Sequence, residues 1–207
     1  MPRLADLAGL AGAIVAIVAV VSYLARGAGL RGGRLVALLG ATALVALVPL
    51  GALPLAGYLR GGVGDLSLTT LVVLLRGMFR PPPQGPFDAR NTLALQLFVA
   101  TAGLALYPFA LGLGAVDSYR LGYGPWALGV LFVVAVAAIF LDLPLVTSCV
   151  ALGVLAWVVG AYESRNLWDY LLDPLVWAWS LAVVSLGVAR SLRALRQARA
   201  RPFDRQR

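Results

Sequence analysis

The chain has no histidine, and all 17 of its basic residues are arginine. Without imidazole it lacks the commonest general base and the commonest metal ligand. A serine or threonine nucleophile would need a base other than histidine or lysine. No glycine-rich loop precedes Lys-Ser/Thr, and no GxSxG elbow occurs. Cysteine is nearly absent too. The single Cys149 lies inside an apolar run and reads as a small buried hydrophobe. No Cys/His cluster has metal-ligand spacing, so neither a metal nor a cofactor is expected.

Charge is scarce. Only 13% of the 207 residues are charged, against about one quarter in soluble domains. Hydrophobic residues make up 61%, arranged in repeated long runs. Runs of about 20 apolar residues span the hydrocarbon core of a bilayer. Nearly the whole chain is taken up by such runs and their short connections, which leaves no soluble catalytic head. The expected fold is therefore all-α, a polytopic membrane bundle of about seven transmembrane helices.

In chain order, the first span covers Leu7 to Leu24, too long and too poor in cleavage signals for a signal peptide. Small residues at 5, 9 and 13, and at 8, 12 and 16, form a stripe for close helix packing. The second span runs over 35–59, with Pro49 and Pro54 expected to kink it. The third, 66–79, is short, and Asp65 stands before it as a helix N-cap. After the stiff Pro81-Pro82-Pro83 loop, Asn91 is expected to cap a span over 92–116, bent at Pro108. Further spans cover 125–141, 145–162 and 173–189, the first two separated by a tight reversal at Asp142-Leu-Pro144.

Arginine placement sets the orientation. With seven crossings, the loops at 26–34 and 77–90 and the tail after 189 share one face, and all are rich in arginine. The positive-inside rule then places the amino terminus outside and the carboxyl terminus in the cytoplasm. Without the short third crossing, one basic cluster would lie on the wrong face. The chain divides into a membrane domain, 1–189, and an arginine-rich tail, 190–207. Arg190, Arg193, Arg196 and Arg199 fall along one flank of a helical extension, suited to anionic lipid or to a cytoplasmic partner helix. No aromatic residues interleave with these arginines as in a nucleic-acid surface, so no nucleic acid is expected.

One stretch stands apart, Glu163 to Pro174, where charged residues, an Asn, a Tyr and a Trp interrupt two apolar segments. As a helix it would place Glu163, Asn166, Tyr170 and Asp173 on one face. The orientation puts Asp65, Asp117, Arg120, Glu163, Arg165, Asn166, Asp169 and Asp173 at or near the outer face, as a polar cluster. Asp173 before Pro174 is also a helix cap, and Trp126, Trp168 and Tyr170 fit membrane-interface anchors. The expected role is that of a multi-pass subunit of a bacterial inner-membrane, cell-envelope complex. Its outer polar cluster would meet a partner membrane protein or a lipid-linked substrate. The alternatives are an autonomous enzyme on a lipid headgroup, with Glu163 or Asp169 as base and Arg165 or Arg120 on phosphate, or a small transporter or channel. Transport is disfavoured because the charges hug the surfaces rather than the span interiors.

Overall fold

A computed structural model describes residues 3–79, 85–115 and 117–199. The described chain is all-helical apart from one two-residue hairpin. In order come α1 (Leu4–Gly27), α2 (Gly32–Ala46), β1 (Pro49–Leu50), β2 (Leu53–Pro54), α3 (Leu55–Val63), α4 (Leu68–Phe79), α5 (Pro86–Ala110), a 3-10 turn (Tyr119–Tyr123), α6 (Pro125–Phe140), α7 (Pro144–Val158), α8 (Leu167–Leu171) and α9 (Pro174–Arg199). Three of these, α1, α5 and α9, are long and apolar enough to cross a membrane. Four shorter apolar helices, α2, α4, α6 and α7, accompany them.

Loop contacts define two ends of the bundle. At one end the Tyr162 hydroxyl donates to the Leu66 carbonyl at 2.6 Å, and Asn166 Nδ2 donates to the Tyr119 carbonyl at 2.9 Å. At the other, Arg26 donates to the Met78 carbonyl, Arg76 pairs with Asp88, and Arg90 donates to the Leu141 carbonyl at 2.6 Å. Helices α1, α4, α6 and α9 leave the first end, whereas α5 and α7 return to it. We call these the knot end and the arginine end.

The core follows from small residues and branched aliphatics. Leu95, Val99 and Leu106 of α5 pack with Leu131 of α6, Val146, Cys149 and Val150 of α7, and Leu171, Leu172 and Val176 around the start of α9. A separate cluster joins Ala13, Ala46 and Ala56, where α1 meets the α2–α3 region. Ala5, Gly9, Gly12 and Ala13 are buried on α1, so the small-residue stripe is an internal packing face. The outer surface is strongly apolar, with Phe132, Val133, Ile139 and Phe140 of α6 all exposed. That inversion, small residues inside and large apolar ones outside, fits lipid as the solvent.

Several boundaries differ from the sequence expectations. The helix over 35–59 does not kink; it stops at Ala46. Pro49 and Pro54 pair across the β1–β2 hairpin around Gly51 (φ 80°), and α3 begins only after Pro54. Each proline lacks an amide donor and disfavours a helical residue before it, so two prolines five apart end the helix outright. Helix α5 starts at Pro86, not at 92, because proline suits the first helical position; Asn91 therefore lies inside the helix, not at its cap. Helix α9 runs unbroken from Pro174 to Arg199, so the arginine series lies on a helical extension as expected. The Pro81-Pro82-Pro83 loop and residues 200–207 of the tail lie outside the described residues.

The reversal at Asp142 is present. Asp142 takes a left-handed φ of 54°, and the Leu143 amide donates back to the Ala138 carbonyl at 2.8 Å. Gly160 closes α7 in the same way at φ 65°. Aspartate is one of the few non-glycine residues that adopt this conformation readily.

Candidate functional site

The knot end is built from three connections: the α3–α4 loop, the 3-10 turn region, and the segment between α7 and α9. Its central group is Asp173, 7% exposed. One carboxylate oxygen accepts the amides of Leu175 and Val176, each at 2.9 Å, which caps α9 as the Asp-Pro spacing predicts. The other accepts the Ser67 amide at 2.9 Å, the Ser67 hydroxyl at 2.8 Å and the Thr70 hydroxyl. One side chain therefore ties the start of α4 to the start of α9. Ser67 is also the cap of α4, since its hydroxyl accepts the Thr70 amide at 3.2 Å. Asp65, expected in that role, turns away instead and pairs with Arg60.

Asn166 and Asp169 fasten the α7–α9 segment to the 3-10 turn. Asn166 is fully buried. Its Oδ1 accepts the Trp168 amide at 3.0 Å and starts α8, while its Nδ2 reaches the Tyr119 carbonyl. Asp169 accepts the Tyr119 hydroxyl at 2.8 Å and the Ser164 hydroxyl. Burial and then the bond to Asp169 push the Tyr119 phenol well above its usual range, so it stays a protonated donor. Gly122 makes the approach possible, because a Cβ there would overlap Asn166 Oδ1 and the Trp168 ring. Only 167–171 is helical here. The shared face expected for Glu163, Asn166, Tyr170 and Asp173 does not form, because Leu172 is extended (φ −131°, ψ 139°) and Asn166 precedes the helix as its cap.

Two expected anchors are placed differently. Tyr170 is fully buried, stacked on Tyr162 with ring centroids 4.9 Å apart, and its hydroxyl donates to the Ser164 carbonyl at 2.9 Å. Trp168 is half-buried, with Nε1 donating to the Ser118 carbonyl at 3.3 Å. Both side chains serve the fold because each has a polar tip that reaches a backbone carbonyl left free by the irregular segment. Trp126, by contrast, is 77% exposed at the start of α6.

The remaining polar groups face outward. Asp117, Arg120, Glu163 and Arg165 are exposed. Asp117 accepts the Tyr119 amide at 3.0 Å, and Arg165 supplies its carbonyl to Trp157 Nε1 at 2.9 Å. Glu163 opens into a cavity of about 550 Å³ with Asp6, Arg60 and Asp65. There Arg60 lies 2.6 Å from Asp65 Oδ1 and 3.6 Å from Asp6 Oδ1. Gly9 permits this, since a Cβ at that position would overlap the Arg60–Asp65 pair. The eight expected residues thus share one end but not one pocket. Asp173, Asn166 and Asp169 are internal fasteners; Asp65 and Glu163 line a cavity; Asp117, Arg120 and Arg165 decorate the outside.

Sequence reasoning missed Asp6, Arg60, Ser67, Thr70 and Ser164 as members of this end. The Ser67-x-x-Thr70 spacing was the available signal for the cap. Nothing local marks Asp6 and Arg60, which meet only through packing of α3 on α1. On α9, Arg190, Arg193 and Arg196 are exposed and Arg199 closes the helix. No group of three or more metal-ligating side chains occurs among the described residues. No protein-family model matches the chain, and comparison with curated proteins and with solved structures returns no match.

Proposed function

We propose that the chain is a seven-crossing subunit of a bacterial cell-envelope complex, with its amino terminus outside and its carboxyl terminus in the cytoplasm. In this reading the four shorter apolar helices cross along with α1, α5 and α9. The knot end then faces outward, presenting a rigid polar surface to a partner membrane protein or a lipid-linked substrate. One observation carries it: the buried polar groups of the knot bond to one another, while Asp117, Arg120, Glu163 and Arg165 point outward from the frame they build. A surface fixed from beneath recognises a partner without the entropic cost of ordering its loops.

The enzyme alternative is narrower than the sequence implies. Asp169 is occupied by two hydroxyl donors, which leaves Glu163, in the cavity with Arg60, as the carboxylate able to act as a base. The test is a gentle-detergent pull-down of the tagged chain from its native membrane, repeated with Arg120→Glu and Arg165→Glu together. A stoichiometric membrane partner, lost in the double variant while the chain still folds, is the expected result. A chain recovered alone, with headgroup-cleaving activity abolished by Glu163→Gln, overturns the subunit reading. The crossings are checked by replacing Cys149 with Ala and placing single cysteines at Glu163 and Gly33. An impermeant maleimide added to intact spheroplasts should label the first only.

A further inference from the structure

Two cavities adjoin at the knot end, and Arg60 and Gly64 stand in the walls of both. The first, about 550 Å³, is the polar one described above, where Asp6, Asp65 and Glu163 line the wall with Arg60. The second, about 380 Å³, is apolar apart from the Arg60 side chain, with Ala13, Ile17, Val20, Leu59, Val63 and Leu175 in its walls. Asp6 and Leu10 border the polar cavity, and Ala13, Ile17 and Val20 the apolar one. Their three- and four-residue spacing puts all five on one face of α1. The two cavities therefore follow one another along that helix, polar at the end of the bundle and apolar deeper in. From Asp6 to Val20 the face runs roughly 21 Å, and its apolar part from Ala13 about 10 Å, against about 15 Å for the hydrocarbon of one leaflet. Val20, Val63 and Leu175 are all exposed, so the apolar cavity opens on the outside of the bundle. A polar compartment at the interface that continues into an apolar one facing lipid has the layout of a lipid molecule.

The polar compartment narrows the headgroup. Arg60 bonds to Asp65 through Nε at 2.6 Å and Nη2 at 3.2 Å. Its Nη1 lies 3.6 Å from Asp6 Oδ1, beyond hydrogen-bond distance, and Asp6 Oδ2 accepts the Arg3 amide at 3.1 Å. Arg60 Nη1 is thus a charged donor with capacity to spare, placed where its stem meets the apolar cavity. Glu163 is exposed and makes no hydrogen bond or ion pair among the described residues. It is a full negative charge on the wall of the same cavity. One cationic donor and one anionic acceptor complement a zwitterion.

We propose that this groove holds one phospholipid whose headgroup carries a phosphate and a primary ammonium, the chemistry of phosphatidylethanolamine. The phosphate accepts from Arg60 Nη1, the ammonium donates to Glu163, and an acyl chain lies along Ala13, Ile17 and Val20. An uncharged or anionic headgroup leaves Glu163 unmatched, and an anionic one also meets three carboxylates against one guanidinium. A quaternary ammonium has no hydrogen to donate and is recognised by aromatic faces, and no aromatic residue lines either cavity. The inference rests on the chain lying in a bilayer, but not on the partner surface of Arg120 and Arg165.

The test uses the full chain, stripped of lipid in mild detergent and offered an equimolar mixture of phosphatidylethanolamine, phosphatidylcholine and phosphatidylglycerol with identical acyl chains. Native mass spectrometry reads the lipid retained. One bound phosphatidylethanolamine, preferred about tenfold over each of the others, is expected. Glu163→Gln, at an exposed position without bonds to lose, should bring the preference over phosphatidylcholine close to unity. Ala16→Phe, which fills the apolar cavity from α1, should lower retention of all three lipids about tenfold while circular dichroism shows the chain folded. Equal retention of the three lipids overturns the proposal, as does an unchanged preference in the Glu163→Gln chain. So does a second protein chain, held in place of lipid and released by Ala16→Phe. A chain that stays monodisperse without detergent overturns the bilayer reading as well, which separates that failure from a failure of the groove alone.

Discussion

The two ends of the bundle handle polar groups in opposite ways. At the knot end, Asp173 alone accepts from two hydroxyls and three amides, and the Asp169 and Asn166 side chains each make two hydrogen bonds. At the arginine end, two helices start without side-chain caps and Asn91 keeps a bare acceptor. The difference is between a saturated joint and a looser one. Where short loops must hold α4, α8 and α9 together, carboxylates are saturated by the chain's own donors. Where α5 begins, the buried Asn91 Oδ1 has no such donor among the described residues.

The contrast can be broken at its strongest point first. Asp173→Ala should cost about 3 kcal/mol or more, since it removes charge-assisted bonds from both α4 and α9 and leaves their donors buried. Thermal unfolding in detergent, followed by circular dichroism, measures this, and Ser148→Asp at the other end should change stability little. A loss confined to a few tenths of a kcal/mol would show that the joint is not what holds α4 to α9. Next in size, Gly122→Ala should cost about 1–3 kcal/mol by forcing Asn166 and Trp168 apart. It should also expose the Trp168 indole, read as a red shift in its fluorescence. The smallest effect is pH-dependent. Tyr119 and Tyr162 both have phenols raised above their usual value near 10, mainly by burial. A raised folded value means the folded state holds its proton longer, so stability is unaffected below about pH 10 and falls as pH climbs beyond it. Tyr119→Phe should flatten part of that alkaline decline, as followed by tyrosinate absorbance during unfolding.

How far the sequence leads differs along the chain. Apolar runs marked every long helix, and the grammar of Asp before Pro identified Asp173 as a cap because capping is local chemistry. The 35–59 segment failed because hydropathy ignores the hydrogen-bond deficit of two prolines, and apolar residues continue straight through the hairpin. Asn91 has the chemistry of a cap, but Pro86, five residues earlier, already starts the helix. The knot was visible as a cluster of polar residues, but their partners were not. Asp173 meets Ser67 and Asp169 meets Tyr119 across 106 and 50 residues, distances at which composition carries no register. The Asp173 cap is assignable from its own neighbours; its bonds to Ser67 and Thr70 are not.

Helix length has a consequence for the surrounding lipid. At 1.5 Å per residue, α4, α6 and α7 are roughly 18–24 Å long, against a hydrocarbon core of about 30 Å. Helix α1, α5 and α9 each exceed that thickness. A bilayer cannot match both sets at once. If the short helices cross as proposed, the bilayer around α6, whose large side chains face outward, must pinch, at a cost of fractions of a kcal/mol per ångström. Hydrophobic mismatch of this kind would make the protein sort toward thin membranes, or toward neighbours whose own short helices share the pinched zone.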